Sequence, residues 1–449
     1  MPSENRSNCV AHARATIPIV PITPLLATVA ALGGLFAALG CDRAPDQEAT
    51  EEVSSALSTP DSAEAGRHEL LRRNTQFFIP APQASVTEQI TSLLKKRAYH
   101  QALQIGEMAA TPRAVWVVGG SPAEATKQVA ETMASARRAH RVPILVAYNL
   151  PYRDCVQYSS GGALDTAAYQ AWIDGFAKGI HDDQAIVILE PDGLGLIPYN
   201  TALDGTSEWC RPTVVDAQGQ TVPAPGASPE ARYAQLNYAV ASLKNKAPNA
   251  LVYLNGTHSA WLGTGEIAFR LVKAGVLQTR GFFLNVSNYR PTPQEAQYGA
   301  WIAKCIYFAN NPAEGGWRLG HYDYCANQYY PATASDPTTW SLTDQWYADN
   351  VDNATNPPTG SAALKHFVID TGRNGQGPLK TAPYASAPYN QPATALAGLN
   401  GGNWCNAFGA GLGVRTTADT GLPLADAYLW VKVPGESDGT CDIAGGARA

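Results

Sequence analysis

Charge is scarce in this 449-residue chain: Asp, Glu, Lys and Arg make up only 16% of it, and the net charge is −6. No basic run exceeds Lys95-Lys96-Arg97, so nothing offers the positive stripe that nucleic acid requires. Neither a Cys-x-x-Cys pair nor a His-x-x-x-His cluster occurs, which removes the common zinc arrangements. No glycine-rich phosphate turn follows the first apolar strand, against a dinucleotide-binding sheet. No segment repeats with a solenoid period. The longest apolar run, Leu25 to Leu39, has 15 residues and is too short to span a membrane.

That run is the length of the apolar part of an export signal, and Arg6, His12 and Arg14 before it supply a basic start. It ends in Ala38-Leu39-Gly40-Cys41, followed by polar Asp42-Arg43-Ala44-Pro45, and so resembles a bacterial lipoprotein cleavage site. A secreted protein cut near Gly40 is the competing reading. Residues 1–41 therefore read as signal, with Cys41 as the candidate lipid anchor, and residues 42–72 as a disordered acidic linker. The folded body is residues 73–449, a bacterial secreted or cell-surface protein expected to act as a monomer. Of eight cysteines, Cys9 and Cys41 lie in or at the end of the signal. The remaining six, Cys155, Cys210, Cys305, Cys325, Cys405 and Cys441, are an even set in an exported protein, which suggests disulfides.

The body is organised around Ile186 to Ile197, read Ile-Val-Ile-Leu-Glu-Pro-Asp-Gly-Leu-Gly-Leu-Ile. Four apolar residues form a buried strand, Pro191 stops it, and Glu190 and Asp192 stand where the chain leaves it. Similar strands are expected at Ala114–Gly119, Val142–Leu150, Leu251–Leu254, Gly281–Asn285, His366–Asp370 and Ala427–Val431. Helical patterns fall between them, at 85–103, 122–140, 166–181, 229–247 and 266–274. Alternating strands and helices give an α/β fold with a parallel sheet and right-handed crossovers, and seven strands favour a closed barrel.

Polar residues recur at or after the strand ends: Tyr148, Asp154, Asp192, Asn255, His258, Asn288, Asp370, Lys432, Glu436 and Asp438. Parallel strands gather them at one mouth, the end of a barrel where chemistry is done. Trp116, Trp261 and Trp404 join them, and indole faces stack on sugar rings while acids and amides bond hydroxyls.

The segment Val146-Ala-Tyr-Asn-Leu-Pro-Tyr-Arg-Asp-Cys155 resembles a signature of glycoside hydrolase family 6, the cellulase family of cellobiohydrolases and endoglucanases. Glu190-Pro-Asp192 and Trp430-Val-Lys-Val-Pro-Gly-Glu-Ser-Asp-Gly439 resemble two more. Between them, in the family's order, stand Tyr253–Gly263, Asn285-Val-Ser-Asn-Tyr289, Asp370-Thr-Gly-Arg373 and Asn403-Trp-Cys-Asn406. The resemblance implies a distorted, roughly seven-stranded parallel α/β barrel that hydrolyses β-1,4-glucan with inversion and needs no cofactor. It implies Asp192 as general acid, Asp154 as the carboxylate that keeps it protonated, and Asp438 as the position proposed for the base. Arg153 would pair with a nearby acid. Tyr148 would press on the distorted sugar, and Ser160 would lie near the attacking water. Trp116, His258, Trp261, Asn288, Trp404, Lys432 and Glu436 would bind the glucan. It also implies disulfides Cys155–Cys210 and Cys405–Cys441, leaving Cys305–Cys325 as a third, although six cysteines allow other pairings.

Four departures stand out. Asn255 replaces an Asp common in the family, Val118 an acidic residue and Thr264 an aromatic one, while Gly193 stands where serine is frequent. The chain also ends eight residues after Cys441, where members continue with a loop and a last helix, so the domain reads as shortened there. Two insertions, Trp209–Ser228 and Trp301–Pro358, would roof a tunnel and tilt the expectation toward a processive cellobiohydrolase. A non-catalytic glucan-binding surface protein, or a glycosidase acting on another β-glucan, are the alternatives.

Overall fold

The strands of the main sheet form where largely apolar residues, many of them β-branched or aromatic, run together for four to six positions, too short for a helix. The computed structural model describes residues 71–156, 159–311, 316–401 and 403–439. The segment expected to be an export signal, Cys9, Cys41, nearly all of the expected acidic linker and Cys441 lie outside these described residues. In chain order the strands are β1 (Val115–Val118), β2 (Ile144–Tyr148), β3 (Ala185–Leu189), β4 (Thr213–Val215), β5 (Thr221–Pro223), β6 (Ala250–Asn255), β7 (Gly281–Leu284), β8 (His366–Asp370) and β9 (Ala425–Leu429). β4 and β5 pair as a separate antiparallel hairpin. The other seven form one all-parallel sheet in the order β1-β2-β3-β6-β7-β8-β9, curled into a distorted barrel.

The period-2 alternation sorts side chains into two cores. Ile144, Val146, Ile186, Ile188, Leu251, Phe283, Val368 and Leu429 fill the inside of the curl. Leu145, Val187, Leu189, Leu254, Phe282, Phe367 and Ile369 face outward beneath the helices. Low inside the curl, Asp426 accepts from Tyr253 Oη (2.7 Å) and Arg280 (2.7 and 2.8 Å) and lies 2.8 Å from His366 Nδ1, fastening β6, β8 and β9 together. The curl does not close by strand pairing. At the seam Ala114 N donates to Trp430 O at 2.9 Å and Trp116 Nε1 to Val431 O at 2.8 Å.

The helices are α1 (Ala84–Lys95), α2 (Tyr99–Ala109), α3 (Pro122–Arg138), α4 (Thr166–Ile180), α5 (Pro229–Lys246), α6 (Thr264–Lys273), α7 (Thr292–Asn310), α8 (Ser341–Tyr347) and α9 (Ala393–Gly401). Local chemistry starts several of them: Ser121 and Glu124 make a reciprocal capping box on α3, and Asp165 and Ser228 cap α4 and α5. Two expectations are corrected. The single helix over 85–103 breaks at Arg97, whose φ is +56°, and α1 buries none of its residues. Among the described residues, none of Trp301–Pro358 lines the cavity at the mouth: the first ten complete α7, and Trp301 packs on Trp340 (5.2 Å) and donates to Asp344 at 2.7 Å. Disulfides Cys155–Cys210 and Cys305–Cys325 are both formed. Cys405 is also disulfide-bonded.

Candidate active site

The mouth is assembled by strand exits, and two acids there are spent on architecture. Glu190 is fully buried and accepts from Asn149 N (2.9 Å) and Leu150 N (3.0 Å), so the end of β3 clamps the end of β2. Burial pushes its carboxyl up to about 7 despite those donors. Asp370, 1% exposed, does the same for β7 to β9, taking the backbone N–H groups of Ser287, Gly372, Val431 and Lys432 at 2.9–3.2 Å. Behind the β3 exit, buried Arg232 donates to the carbonyls of Gly193 (2.7 Å), Leu196 (3.0 Å) and Pro151 (3.0 Å). Gly195 has a steric reason: a Cβ there would stand 2.4 Å from the Trp261 indole.

These exits leave the backbone in an unusual state. Tyr152, Asp154, Cys155, Glu190, Asp192, Thr257, Asn285 and Ser287, none of them glycine, hold φ between +47° and +67°. The left-handed turn at Asp192 sends the chain away from β3 immediately after its carboxyl.

Above the exits lies a cavity of about 570 Å³. Ten of the twelve residues expected at the site line it: Trp116, Tyr148, Asp154, Asp192, His258, Trp261, Asn288, Trp404, Lys432 and Asp438. Ser160 does not; it is exposed, and its carbonyl accepts from Arg153 at 3.2 Å. Glu436 does not either, and lines a neighbouring pocket that shares Trp116. Trp209, Tyr289 and Arg290 also line it, although the sequence assigned none of them a role of its own at the site. Tyr289 was legible only as part of a motif, and Trp209 only as a tryptophan in an insertion.

Asp192 is half-buried, and its carboxyl is raised to about 7, first by burial and then by the charge of Asp154. Asp154 accepts from Ser159 N at 2.7 Å, which fixes its orientation after the strand end. Tyr148, 7% exposed, stands edge-on to Trp116 (5.5 Å, 87°), and burial raises its phenol strongly. Arg153 does not pair with an acid as expected. It lies over the Tyr148 ring at 4.3 Å and donates to the carbonyls of Tyr148 (2.7 Å), Ser159 (2.8 Å) and Ser160. Its charge is used to hold a loop. Burial, then Arg290, push His258 down to about 3, so the imidazole is neutral, and Nδ1 accepts from Ala260 N at 3.2 Å.

Asp438 lines the same cavity, in a dense network. Arg373 Nη1 donates to both its oxygens at 2.8 Å, Asn406 N donates at 2.9 Å, Tyr289 Oη at 3.4 Å, and Lys432 Nζ lies 3.6 Å away. Arg373 also stacks on Tyr289 (4.4 Å) and donates to Ser287 O. The arrangement offers one carboxyl suited to carry a proton, a second carboxylate bonded to Arg373 and beside Lys432, and indoles in the same cavity wall.

Residues 72–448 match the family model for glycosyl hydrolases family 6. The chain belongs to this family. Among its relatives is Endoglucanase 1 of Streptomyces sp. strain KSM-9, 31% identical over 346 residues, 76% of this chain and 68% of that protein. The solved endoglucanase Cel6 from Mycobacterium tuberculosis, in complex with methyl-cellobiosyl-4-deoxy-4-thio-β-D-cellobioside, is 29% identical, with a TM-score of 0.53 over 83% of this chain and 93% of that one. Endoglucanase CEL6B from Humicola insolens, at 23% identity, has a TM-score of 0.52 over 84% of this chain and 92% of its own, and supports the fold.

Against the family pattern, Asn255 is 3% exposed on β6 with its Oδ1 unpartnered, and is not part of the cavity wall. Thr264 is fully buried at the start of α6, whereas Val118 is 48% exposed. Gly193 is more than a neutral exchange for serine, because a Cβ there would lie 2.8 Å from Leu150 Cδ1 and 2.9 Å from Glu190 O.

Proposed function

We propose that this family 6 member hydrolyses β-1,4-glucosidic bonds of cellulose and cello-oligosaccharides with inversion, with Asp192 as the general acid. The observation that carries the reading is the Asp192 carboxyl, raised to about 7 on the wall of an indole-lined cavity. Protonated at mildly acidic pH, it gives its proton to the glycosidic oxygen as the bond to the anomeric carbon breaks. Water attacks that carbon from the opposite face and loses a proton to a carboxylate, so the products are a free chain end and an inverted reducing sugar. Tyr148, backed by Arg153, presses on the sugar at the scissile bond. Asp438 has both oxygens engaged by donors, and we assign it the anchoring of Lys432 and Arg373, with Asp154 taking up the water's proton through solvent.

Among the described residues, none between 301 and 358 lines the cavity, whereas Trp209 of the other insertion does. A cavity to which the 301–358 insertion contributes no described residue supports entry of a glucan chain from above, and we favour endo action over the processive reading. The three acids at the mouth favour catalysis over a binding-only protein. The export signal supports secretion, and Cys41→Ser releasing the protein from membranes would establish the lipid anchor.

The test is hydrolysis of soluble cello-oligosaccharides, with the product anomer read by NMR for wild type and Asp192→Asn. Release of the α-anomer, abolished in the variant, is expected. A β-anomer would overturn the mechanism.

A further inference from the structure

We infer that the glucan path continues past Trp116 into a second pocket along the barrel seam, where one further glucosyl unit binds; this rests on the function proposed above. Because β1 and β9 are joined at the seam by single hydrogen bonds and not by a ladder, a gap runs beside β1. The α1–α2 hairpin covers that gap without filling it, since α1 buries no residue. The space left is about 520 Å³, close to the 570 Å³ of the main cavity and well within the range of small-ligand sites.

The chemistry of the lining narrows the occupant. Trp116 walls both spaces, its indole fixed by the bond to Val431 O and by the Tyr148 edge. Val86, Ile105 and Met108 give an apolar floor, and Gln83, Gln89 and Glu436 give a polar rim. Gln83 Nε2 donates to Glu436 Oε1 at 2.6 Å, tying α1 to the segment after β9. The one cation in the lining, Arg113, is committed to the carbonyls of Ala109 (2.7 Å), Pro80 (3.0 Å) and Ala81 (3.0 Å), and feels the charge of Glu436. An indole, an apolar floor, amides and a carboxylate suit the two faces and the hydroxyl edge of a neutral pyranose; they do not suit an anion. The position of Glu436 in this pocket, away from the main cavity, is explained by such a path.

The experiment is kcat/KM on the series cellotriose to cellohexaose for wild type, Ser85→Trp and Gln89→Ala, with thermal melts to show that each variant is folded. Ser85 is an exposed rim residue in the first turn of α1, and an indole there fills the pocket. Wild type should show a step of about tenfold at the length that first reaches the pocket, the gain of a modest contact set. Ser85→Trp should erase the step and leave the rates on shorter chains within about twofold, and Gln89→Ala should reduce it about threefold. Cleavage without any step, or a step that survives Ser85→Trp, overturns the second pocket and leaves the proposed function standing. Failure of the folded wild type to cleave any member overturns both.

Discussion

Replacing Asp154 with asparagine removes one of the two influences that hold Asp192 protonated and leaves the other in place. The Asp192 carboxyl stands at about 7 against an ordinary 3.8. Burial is the larger cause and the charge of Asp154 the smaller, so removing that charge should leave most of the displacement in place. At pH 6 about nine-tenths of wild-type molecules carry the catalytic proton, compared with under about one in a hundred for an unshifted carboxyl. The alkaline limb of kcat against pH reports this group in the substrate complex. Measured on a soluble cello-oligosaccharide, it should lie near pH 7 in wild type. In Asp154→Asn it should move down but stay above the ordinary carboxyl range, even if turnover itself falls. A wild-type limb below pH 5 would refute the assignment of Asp192 as acid. A limb that rises in the variant would refute the repulsion between the two carboxylates.

Asp192→Asn should stabilise the fold while abolishing activity. The raised acid is penalised when ionised, a cost that begins above pH 3.8 and is complete above about 7, so the gain at pH 7 should be about 2–4 kcal/mol in urea melts and vanish below pH 4. Asp426 behaves oppositely. Although burial opposes it, the Arg280 and His366 bonds depress it to about 2 from 3.8, so its stabilisation is full above 3.8 and lost as pH falls through 2. Asp426→Asn should therefore cost about 2 kcal/mol or more at pH 7 and much less at pH 2.5, and an equal cost at both would show that the charge is irrelevant. Asn255→Asp places a carboxyl at a site 3% exposed. It should raise turnover while lowering the melting temperature at neutral pH, and unchanged turnover would show the amide to be sufficient.

The fold was legible where patterns were local. β2 and β3 are uninterrupted apolar runs, and Ser121 and Asp165 announce helix starts. α7 was not legible, because Tyr298, Trp301, Ile302, Cys305, Ile306 and Phe308 are all buried and leave no amphipathic stripe to read. The break between α1 and α2 carries neither glycine nor proline, and Arg97 in a left-handed turn gives no compositional sign. At the site, the short motifs located Asp154, Asp192 and Asp438. The partners that decide what each acid does come from distant segments. Arg373 reaches Asp438 across 65 residues, and Arg153 turned to carbonyls, a choice that spacing alone does not encode.

The left-handed backbone at the strand exits carries a further consequence. Each non-glycine residue held there costs about 1 kcal/mol or more, and of the eight at the exits Asp154, Asp192 and Ser287 line the cavity itself. The sheet beneath supplies the burial that compensates, so the mouth borrows its order from the barrel and does not generate its own. Such a region yields first: warming or mild denaturant should release the rim while the strands remain intact, and the enzyme loses its shape for glucan before it loses its fold. A bound chain would reverse that order, since ligand binding favours the ordered rim by mass action. The glucan is then a structural element of the working enzyme as well as its substrate.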